Sequence, residues 1–226
     1  MIKVITITHE CGSAGTEVAR LVAHKLDWEM LDRSLLERIA RVADLETDLE
    51  RFDEQAARWC EVLRSRRVNL DEVCPLVAPR WFGEVDDESI HALSTQLIRA
   101  AADLGECVFA APGAQCLLRN RSNVLNVLVY APIADRVARV QGRFPECSDA
   151  EAFVRQMDSQ AAKYMIEHYE DQWLGAGLYL YDLCVKTSAG LRASAAFVSA
   201  ELMLLEENCT AMPEEEFSPC QLPPQR

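Results

Sequence analysis

The sequence has neither a long hydrophobic run nor an excess of basic residues. None of its apolar stretches approaches the roughly 20 residues of a membrane-spanning helix, although half of its 226 residues are hydrophobic. Its formal net charge of −13 argues against a nucleic-acid partner, because phosphate backbones are bound by clustered Lys and Arg. The first residues also lack the basic and apolar segments of a signal peptide. We therefore expect a cytoplasmic protein that binds neither membranes nor nucleic acid.

Paired cysteines are lacking as well. The nine cysteines are scattered, odd in number and without a C-x-x-C pair, so we predict neither a disulfide framework nor a metal site. Cys107, Cys116 and Cys184 lie in apolar contexts and are predicted to be small core residues. Cys11 lies before a predicted helix, where a thiol can have a lowered pKa. The alternative for Cys11 is a loop side chain without chemistry.

The first 26 residues have the order strand, small-residue loop, helix. The β-branched residues of 2–8 predict a buried parallel strand, and apolar residues at helical spacing predict a helix over 15–26. In this order, glycines allow the backbone to turn its N–H groups inward, and the helix N-terminus adds positive dipole. We favour a phosphate-binding loop over a simple tight turn for Gly12, Ser13, Ala14, Gly15 and Thr16, where this strand leads into the helix.

Downstream of this opening, predicted strands alternate with predicted helices. The strands are predicted at 107–111, 123–131 and 180–186, and the helices at 89–104, 135–143, 149–169 and 190–206. This alternation predicts an α/β domain over residues 1–206, with a parallel sheet and helices on both faces. A helical and loop insertion is predicted at about 44–88. The acidic, proline-containing tail at 207–226 is predicted to be disordered.

Five collinear segments carry a resemblance to a known family. Residues 8–20 (T-H-E-C-G-S-A-G-T-E-V-A-R) resemble a family opening of the form S-R-E-Y-G-S-G-G-R-E-I-A-R. Residues 31–40 (L-D-R-S-L-L-E-R-I-A) resemble its second element, Y-D-R-E-L-I-E-R-V-A. Further matches are 123–132 with Arg136, Asp158 with Tyr164, and 181–188. From residue 2 to about 200, the chain is similar to the cytidylate-kinase-like family, a bacterial branch of P-loop nucleoside-monophosphate kinases.

The resemblance implies a three-layer P-loop NTPase fold and a kinase activity. The reaction would transfer a phosphoryl group from ATP, with Mg²⁺, to CMP or a related nucleoside monophosphate. In such kinases the loop backbone holds the donor phosphates, and Arg residues of a mobile lid, here about 136–170, neutralise the transferring group. By position, the resemblance implies catalytic roles for Arg136, Arg139 and Asp158, the last helping to hold the pyrimidine nucleotide. The two arginines could also be ordinary solvated helix residues.

The resemblance also implies a pocket for the monophosphate. Asp32 and Arg38 fall where the family shapes that pocket, and the Arg38 guanidinium suits a fork-like grip on phosphate. Asp32 has an alternative role as the N-cap of the helix that follows it. One carboxylate could serve both purposes.

Five positions depart from the family pattern, and the G-x-x-x-x-G-K-[ST] motif is absent. The family has Arg where this chain has His9, Thr16, Pro112 and Ala161, and it has Gly where this chain has Ala14. The Ala14 side chain is expected to crowd a phosphate or to oppose a positive φ. Each lost charge-assisted contact is expected to cost about 2–4 kcal/mol of transition-state stabilisation.

These departures leave two hypotheses for function. Other basic residues could substitute for the missing ones, and the nearest in sequence to Asp158 are Arg143, Arg155 and Lys163. Alternatively, the chain is a kinase fold without catalysis that acts as a nucleotide-binding or protein-interaction module. The sequence does not specify the oligomeric state, and a homo-oligomer is an open alternative.

Overall fold

The computed structural model describes residues 1–35, 88–169 and 178–211. The predicted insertion at 44–88 lies outside the described residues except for Glu88, and so does Arg38. Within the described part, the strands are β1 (Val4–His9), β2 (Glu29–Asp32), β3 (Cys107–Ala110), β4 (Val124–Tyr130) and β5 (Leu183–Lys186). The helices are α1 (Gly15–Leu26), α2 (Glu88–Leu104), α3 (Ala114–Leu118), α4 (Ile133–Arg143), α5 (Ala150–Tyr169) and α6 (Leu191–Ala211).

The described strands form one parallel sheet in the order β2-β3-β1-β4-β5. β1 is central and pairs with β3 on one side and β4 on the other. The carboxyl end of β1 therefore lies in the middle of the sheet edge, between the ends of its neighbours. In open parallel sheets ligands bind outside this edge, so the residues after β1 occupy the position where a site is expected.

Helices cover both faces of the sheet. On one face Ile5 and Ile7 of β1 are buried with Val18 and Val22 of α1 and with residues of α6. On the other face the buried cluster includes Val4, Phe109, Leu97 and Leu118. Successive residues of a strand face opposite sides, so Ile5 and Ile7 contribute to one core and Val4 to the other. The predicted three-layer α/β P-loop fold is confirmed.

Two element boundaries differ from the sequence prediction. β5 begins at Leu183 rather than at 180, because Leu178–Leu180 forms a 3₁₀ turn. α6 continues to Ala211, so the predicted domain boundary at 206 lies within this helix. Residues 212–226 of the predicted tail lie outside the described residues.

The cysteine predictions are partly correct. Cys107 is buried, Cys116 is half-buried and Cys184 is exposed, so the core assignment is wrong for Cys184. Its strand, β5, lies at the end of the strand order, and only Val185 of that strand is buried. The thiols of Cys11, Cys107, Cys116, Cys147 and Cys184 are free. None of the helices in the described part of the chain combines the length and apolar character that a membrane crossing requires.

Candidate functional site

The loop after β1 makes a tight path that glycines permit. Gly12 has φ +75°, and a Cβ at this position would lie 2.7 Å from the carbonyl oxygen of Arg136. A Cβ at Gly15, the first residue of α1, would lie 2.1 Å from the Cβ of His9. Both glycines are therefore required by close approach of neighbouring atoms.

Ala14 adopts the left-handed conformation that we expected its Cβ to oppose. Its φ is 65° and its ψ is 31°, and it is the residue that precedes the first turn of α1. A non-glycine residue in this region carries a strain of about 1–2 kcal/mol. The expectation that alanine blocks a positive φ here is wrong, because the surrounding contacts maintain the loop path.

The variant Ala14→Gly is expected to increase the free energy of unfolding by up to about 1 kcal/mol. Relief of the left-handed strain exceeds the extra chain entropy that glycine gives the unfolded state, which is about 0.4–1 kcal/mol. Urea unfolding followed by circular dichroism measures the change. Ala138→Gly, at an exposed position within α4, is the matched control and should lose about 1 kcal/mol. A loss of stability in both variants would contradict the strain at Ala14.

The carbonyl groups of the loop accept hydrogen bonds from distant side chains. The carbonyl of Cys11 accepts from Nε of Arg136 at 2.8 Å, and that of Gly12 accepts from Nη1 of Arg139 at 3.2 Å. The carbonyl of Ser13 accepts from the Thr187 hydroxyl at 2.8 Å. Within the described residues, no acceptor is found for the backbone N–H groups of Gly12, Ala14, Gly15 and Thr16. A turn that engages its carbonyls and leaves successive N–H groups available is the backbone arrangement that binds anions.

Arg136 is the central residue behind the loop. Its side chain is 6% exposed, and besides the Cys11 carbonyl it contacts two carboxylates. Nη1 lies 3.0 Å from Oε1 of Glu10, and Nη2 donates to Oδ2 of Asp158. The interpretation of Arg136 as a solvated helix residue is therefore wrong. The guanidinium is a buried cation that joins the loop, α4 and α5.

Asp158 reaches the loop directly from α5. Its Oδ1 accepts a hydrogen bond from the backbone N–H of Cys11 at 3.0 Å, while its Oδ2 binds Arg136. Glu10, the other carboxylate on Arg136, accepts from the N–H of Ala131 at 3.1 Å. The structure thus brings Asp158 and Arg136 together at the loop.

Arg139 lies one turn further along α4 and connects the loop to the chain after β5. Besides the Gly12 carbonyl, it donates to the hydroxyl of Thr187 at 3.0 Å and to the Thr187 carbonyl at 3.3 Å. Thr187 is fully buried and bonds both Arg139 and the Ser13 carbonyl. Sequence reasoning did not single out Thr187 as a site residue, although it lies in the matched segment 181–188.

His9 packs against the start of α1. Nδ1 lies 3.3 Å from the Glu10 carbonyl oxygen, and Nε2 lies 3.2 Å from the hydroxyl oxygen of Thr16. Because a carbonyl only accepts, the network assigns the proton to Nδ1 and makes Nε2 the acceptor for Thr16. Burial lowers the pKa of His9, so the ring is neutral. His9 is therefore a half-buried residue at the end of β1 that carries no charge at neutral pH.

The free energy of unfolding is expected to fall as the pH drops below about 6.5. The unfolded chain protonates His9 near its ordinary pKa of about 6.5, whereas burial lowers the pKa in the folded state, so the unfolded state binds more protons in this range. The loss is at most about 1.4 kcal/mol per pH unit for one histidine. His9→Gln should flatten the dependence measured by urea unfolding between about pH 5 and pH 7, while His24→Gln, at an exposed histidine, should not. An equally steep dependence in His9→Gln would contradict this assignment.

The thiol of Cys11 does not have a lowered pKa. Burial, followed by the Asp158 carboxylate, raises the pKa of Cys11 to about 11, and the opposing effect of Arg136 is smaller. The hypothesis of a reactive thiolate beside the helix N-terminus is therefore wrong. Cys11 contributes its backbone N–H and carbonyl to the site.

The neighbouring strand ends form the second part of the edge. Asp32 ends β2, and its Oδ1 accepts the N–H of Leu35 at 2.8 Å, which confirms the N-cap alternative.

A Cβ on Gly113, beyond β3, would lie 2.1 Å from the Tyr169 ring of α5. Tyr164 of the same helix lies 5.3 Å from the Arg33 guanidinium, and its hydroxyl lies 2.9 Å from Nδ1 of His91. α5 therefore packs against the loop at Asp158 and against α2 and the β3 end further along.

The three basic residues considered as substitutes form surface ion pairs. Arg143 pairs with Glu17, Arg155 with Glu151 and Lys163 with Glu167, and their side chains are 70%, 67% and 75% exposed. Glu17 belongs to the first turn of α1, so Arg143 lies beside the loop without donating to it. Among the described residues, the cations that contact the loop are Arg136 and Arg139.

Comparison with known proteins agrees with this architecture. A solved structure of an uncharacterized protein from Eubacterium ventriosum ATCC 27560 is 18% identical, covers 90% of this chain and 99% of its own, and has a TM-score of 0.62. The shikimate kinase of Acinetobacter baumannii, solved with shikimate, is 16% identical over 92% of this chain and 95% of its own, with a TM-score of 0.46. None of the curated proteins matches the chain. The model of the cytidylate kinase-like family matches residues 4–189, and the chain therefore belongs to this family.

Proposed function

We propose that the protein binds a nucleoside triphosphate at the loop and transfers its terminal phosphoryl group to CMP or a related nucleoside monophosphate. The observation that carries the proposal is the loop itself. Its carbonyls are engaged by Arg136, Arg139 and Thr187, and four backbone N–H groups of the loop and the first turn of α1 have no acceptor in the described part of the chain. Such groups, together with the helix dipole, favour the oxygens of a phosphate chain.

The donor phosphates would lie against the N–H groups of Gly12, Ala14, Gly15 and Thr16. Thr16 donates its hydroxyl proton to His9 and keeps its oxygen lone pairs for a phosphate-bound cation. No cluster of three or more acidic, His or Cys side chains suited to a metal occurs among the described residues. Mg²⁺ would be held mainly by phosphate oxygens and water, as it prefers, and the Thr16 hydroxyl is a candidate ligand for it. When bound, it would neutralise charge on the phosphates.

The acceptor would lie beside the loop at the ends of β2 and β3. Asp32 is at that edge, and Arg38 follows six residues later in the sequence, so both stay assigned to the monophosphate pocket. Asp158 stays assigned to the pyrimidine nucleotide by resemblance. Its carboxylate is joined to Arg136 and to the Cys11 N–H, so binding a base would require Asp158 to exchange these partners.

A second candidate function is nucleotide binding without transfer. It is favoured by the engagement of the two site cations. Arg136 is balanced by Glu10 and Asp158, and Arg139 donates to the Gly12 carbonyl and Thr187. In this arrangement neither guanidinium is available to a transferring phosphoryl group, whose charge usually needs cationic stabilisation worth several kcal/mol. Arg38, outside the described residues, is the further basic residue assigned to the site.

Two measurements on the full chain distinguish these functions. A coupled assay with ATP, Mg²⁺ and a panel of nucleoside monophosphates detects ADP, and thermal unfolding with ATP detects binding. ADP formation that depends on CMP or a related acceptor supports phosphoryl transfer. A raised melting temperature without ADP from any acceptor supports binding alone. A response in neither measurement would reject both functions.

A loop variant ties either response to the proposed site. Gly12→Ala places a Cβ 2.7 Å from the Arg136 carbonyl oxygen, so it should abolish the nucleotide response. Arg121→Ala removes an exposed ion pair with Asp103, away from the loop, and should respond like the unmodified chain. At a nucleotide concentration of about 100 times Kd, binding raises the free energy of unfolding by about 2.7 kcal/mol. A normal response in Gly12→Ala would place the nucleotide elsewhere.

A further inference from the structure

The outward face of α6 carries an apolar stripe that nothing in the described part of the chain covers. Val198 and Leu202 of this helix are buried against the sheet and α1. On the opposite side Phe197 is 62% exposed, Met203 51% and Leu204 53%. Helical spacing aligns these side chains with Ala193, Ala196 and Ala200. A single exposed apolar residue is ordinary, but a contiguous group marks an interaction site.

We propose that this α6 stripe (Ala193, Ala196, Phe197, Ala200, Met203 and Leu204) binds the same stripe of a second copy, in antiparallel orientation. The two-fold axis passes beside Ala200. At about 1.5 Å of rise and about 100° of rotation per residue, this symmetry places Phe197 against Leu204 of the second copy and Ala196 against its Met203. The smallest side chain, Ala200, lies at the crossing point, where it allows the two helix axes to approach within about 8–10 Å.

Charges at the two ends of the stripe select this orientation. Arg192 is exposed and has no ion pair within the described residues, and Glu206 lies on the same flank, roughly 40° away around the helix axis. Two-fold symmetry keeps each residue on its own flank, so an antiparallel pair places Arg192 beside Glu206 of the second copy, twice. A parallel two-fold pair would place Arg192 and Glu206 at opposite ends of the contact, so neither would meet the opposite charge of the second copy. Self-association thus buries the apolar side chains and pairs the charges beside them, which supports a second copy as the occupant.

The contact is small, which determines the affinity to expect. Ala193 to Leu204 spans about 17 Å of helix, and one helix pair of this length buries less than the roughly 1,200 Å² of a standard interface. We therefore expect a reversible dimer with a dissociation constant in the micromolar range. The stripe lies on the solvent side of α6, away from the loop, and the proposal is independent of nucleotide binding.

Sedimentation of the full chain tests the dimer from low micromolar to several hundred micromolar concentration. The unmodified chain should pass from monomer to dimer across this range. Phe197→Glu and Leu204→Glu should each weaken the association at least about tenfold, because each buries a carboxylate in the apolar contact. Ile166→Glu, at an exposed isoleucine of α5 (57% exposed), is the matched control and should dimerise normally. Circular dichroism reports whether each variant is folded. If one of the two stripe variants does not fold, the other tests the contact alone.

A charge exchange tests the antiparallel orientation. Arg192→Glu and Glu206→Arg should each weaken the dimer by up to about fivefold, as expected for exposed ion pairs, and the double variant should restore it. A chain that stays monomeric throughout would overturn the proposal and assign the stripe to another occupant. A dimer unaffected by Phe197→Glu and Leu204→Glu would also overturn it. A dimer that the double exchange fails to restore would overturn the antiparallel arrangement.

Discussion

Replacing Arg136 by methionine is expected to lower the free energy of unfolding by about 3 kcal/mol. Methionine retains much of the apolar stem but leaves Glu10 and Asp158 without their cation and the Cys11 carbonyl without its donor. Removing one partner of a buried ion pair commonly costs about 3–5 kcal/mol. We expect the lower end, because the Glu10 and Asp158 side chains are 19% and 25% exposed and water screens them in part.

Urea unfolding of Arg136→Met measures this loss, and Arg121→Met is the matched control. Arg121 forms an exposed pair with Asp103, and its replacement should change stability by less than about 1 kcal/mol. The double variant Arg136→Met with Asp158→Asn should be less destabilised than the two single changes added together, because the second change removes one of the unpaired charges. A loss below about 1 kcal/mol in Arg136→Met would show that the guanidinium does not hold the loop.

Gly15→Ala is expected to destabilise the domain by about 3 kcal/mol or to prevent folding. The added Cβ would lie 2.1 Å from the Cβ of His9 and would clash with it. The backbones at the end of β1 and the start of α1 would have to move apart to relieve this clash. Overpacking of this kind typically costs about 1–3 kcal/mol, and a backbone shift raises the cost. Thermal and urea unfolding report the change.

A second substitution, at His9, tests which atom causes the loss of stability in Gly15→Ala. Since the clash begins at the Cβ of His9, adding His9→Ala should not restore Gly15→Ala, whereas adding His9→Gly should restore much of the stability. Gly142→Ala is the matched control, because a Cβ at Gly142 meets nothing within 4 Å. Its position in α4 predicts a gain of up to about 1 kcal/mol. Equal behaviour of the two alanine variants would contradict the close packing at Gly15.

The fold was largely predictable because its signals are local. Short apolar runs, β-branched in β1, predicted β1, β3 and β4 to within a few residues, and helical spacing predicted α1, α4 and α5. The N-cap role of Asp32 was also predictable, since its acceptor contact reaches only three residues along the chain. β5 was predicted too long because its hydrophobic pattern continues into the adjacent 3₁₀ turn.

The candidate site was predictable in position but not in its supporting contacts. The resemblance pointed to Arg136, Arg139 and Asp158, and the structure places all three at the loop. Nothing local shows that Arg136 is buried between two carboxylates or that Thr187 bonds the Ser13 carbonyl. Arg136 is 125 positions from the Cys11 carbonyl that it binds, and Thr187 is 174 positions from Ser13. Periodicity describes one element at a time and carries no information on such pairs.

The same sequence separations have a consequence for folding order. The N–H groups of the loop acquire their arrangement only when α4, α5 and the turn after β5 have come together around it. α4 and the turn after β5 supply the donors for its carbonyls, and α5 supplies the acceptor for the Cys11 N–H. Contacts between residues far apart in sequence carry a large chain-closure entropy and tend to form late. The N-terminal strand, loop and helix alone would therefore lack the bound form of the loop, and anion binding should appear in step with completion of the whole sheet.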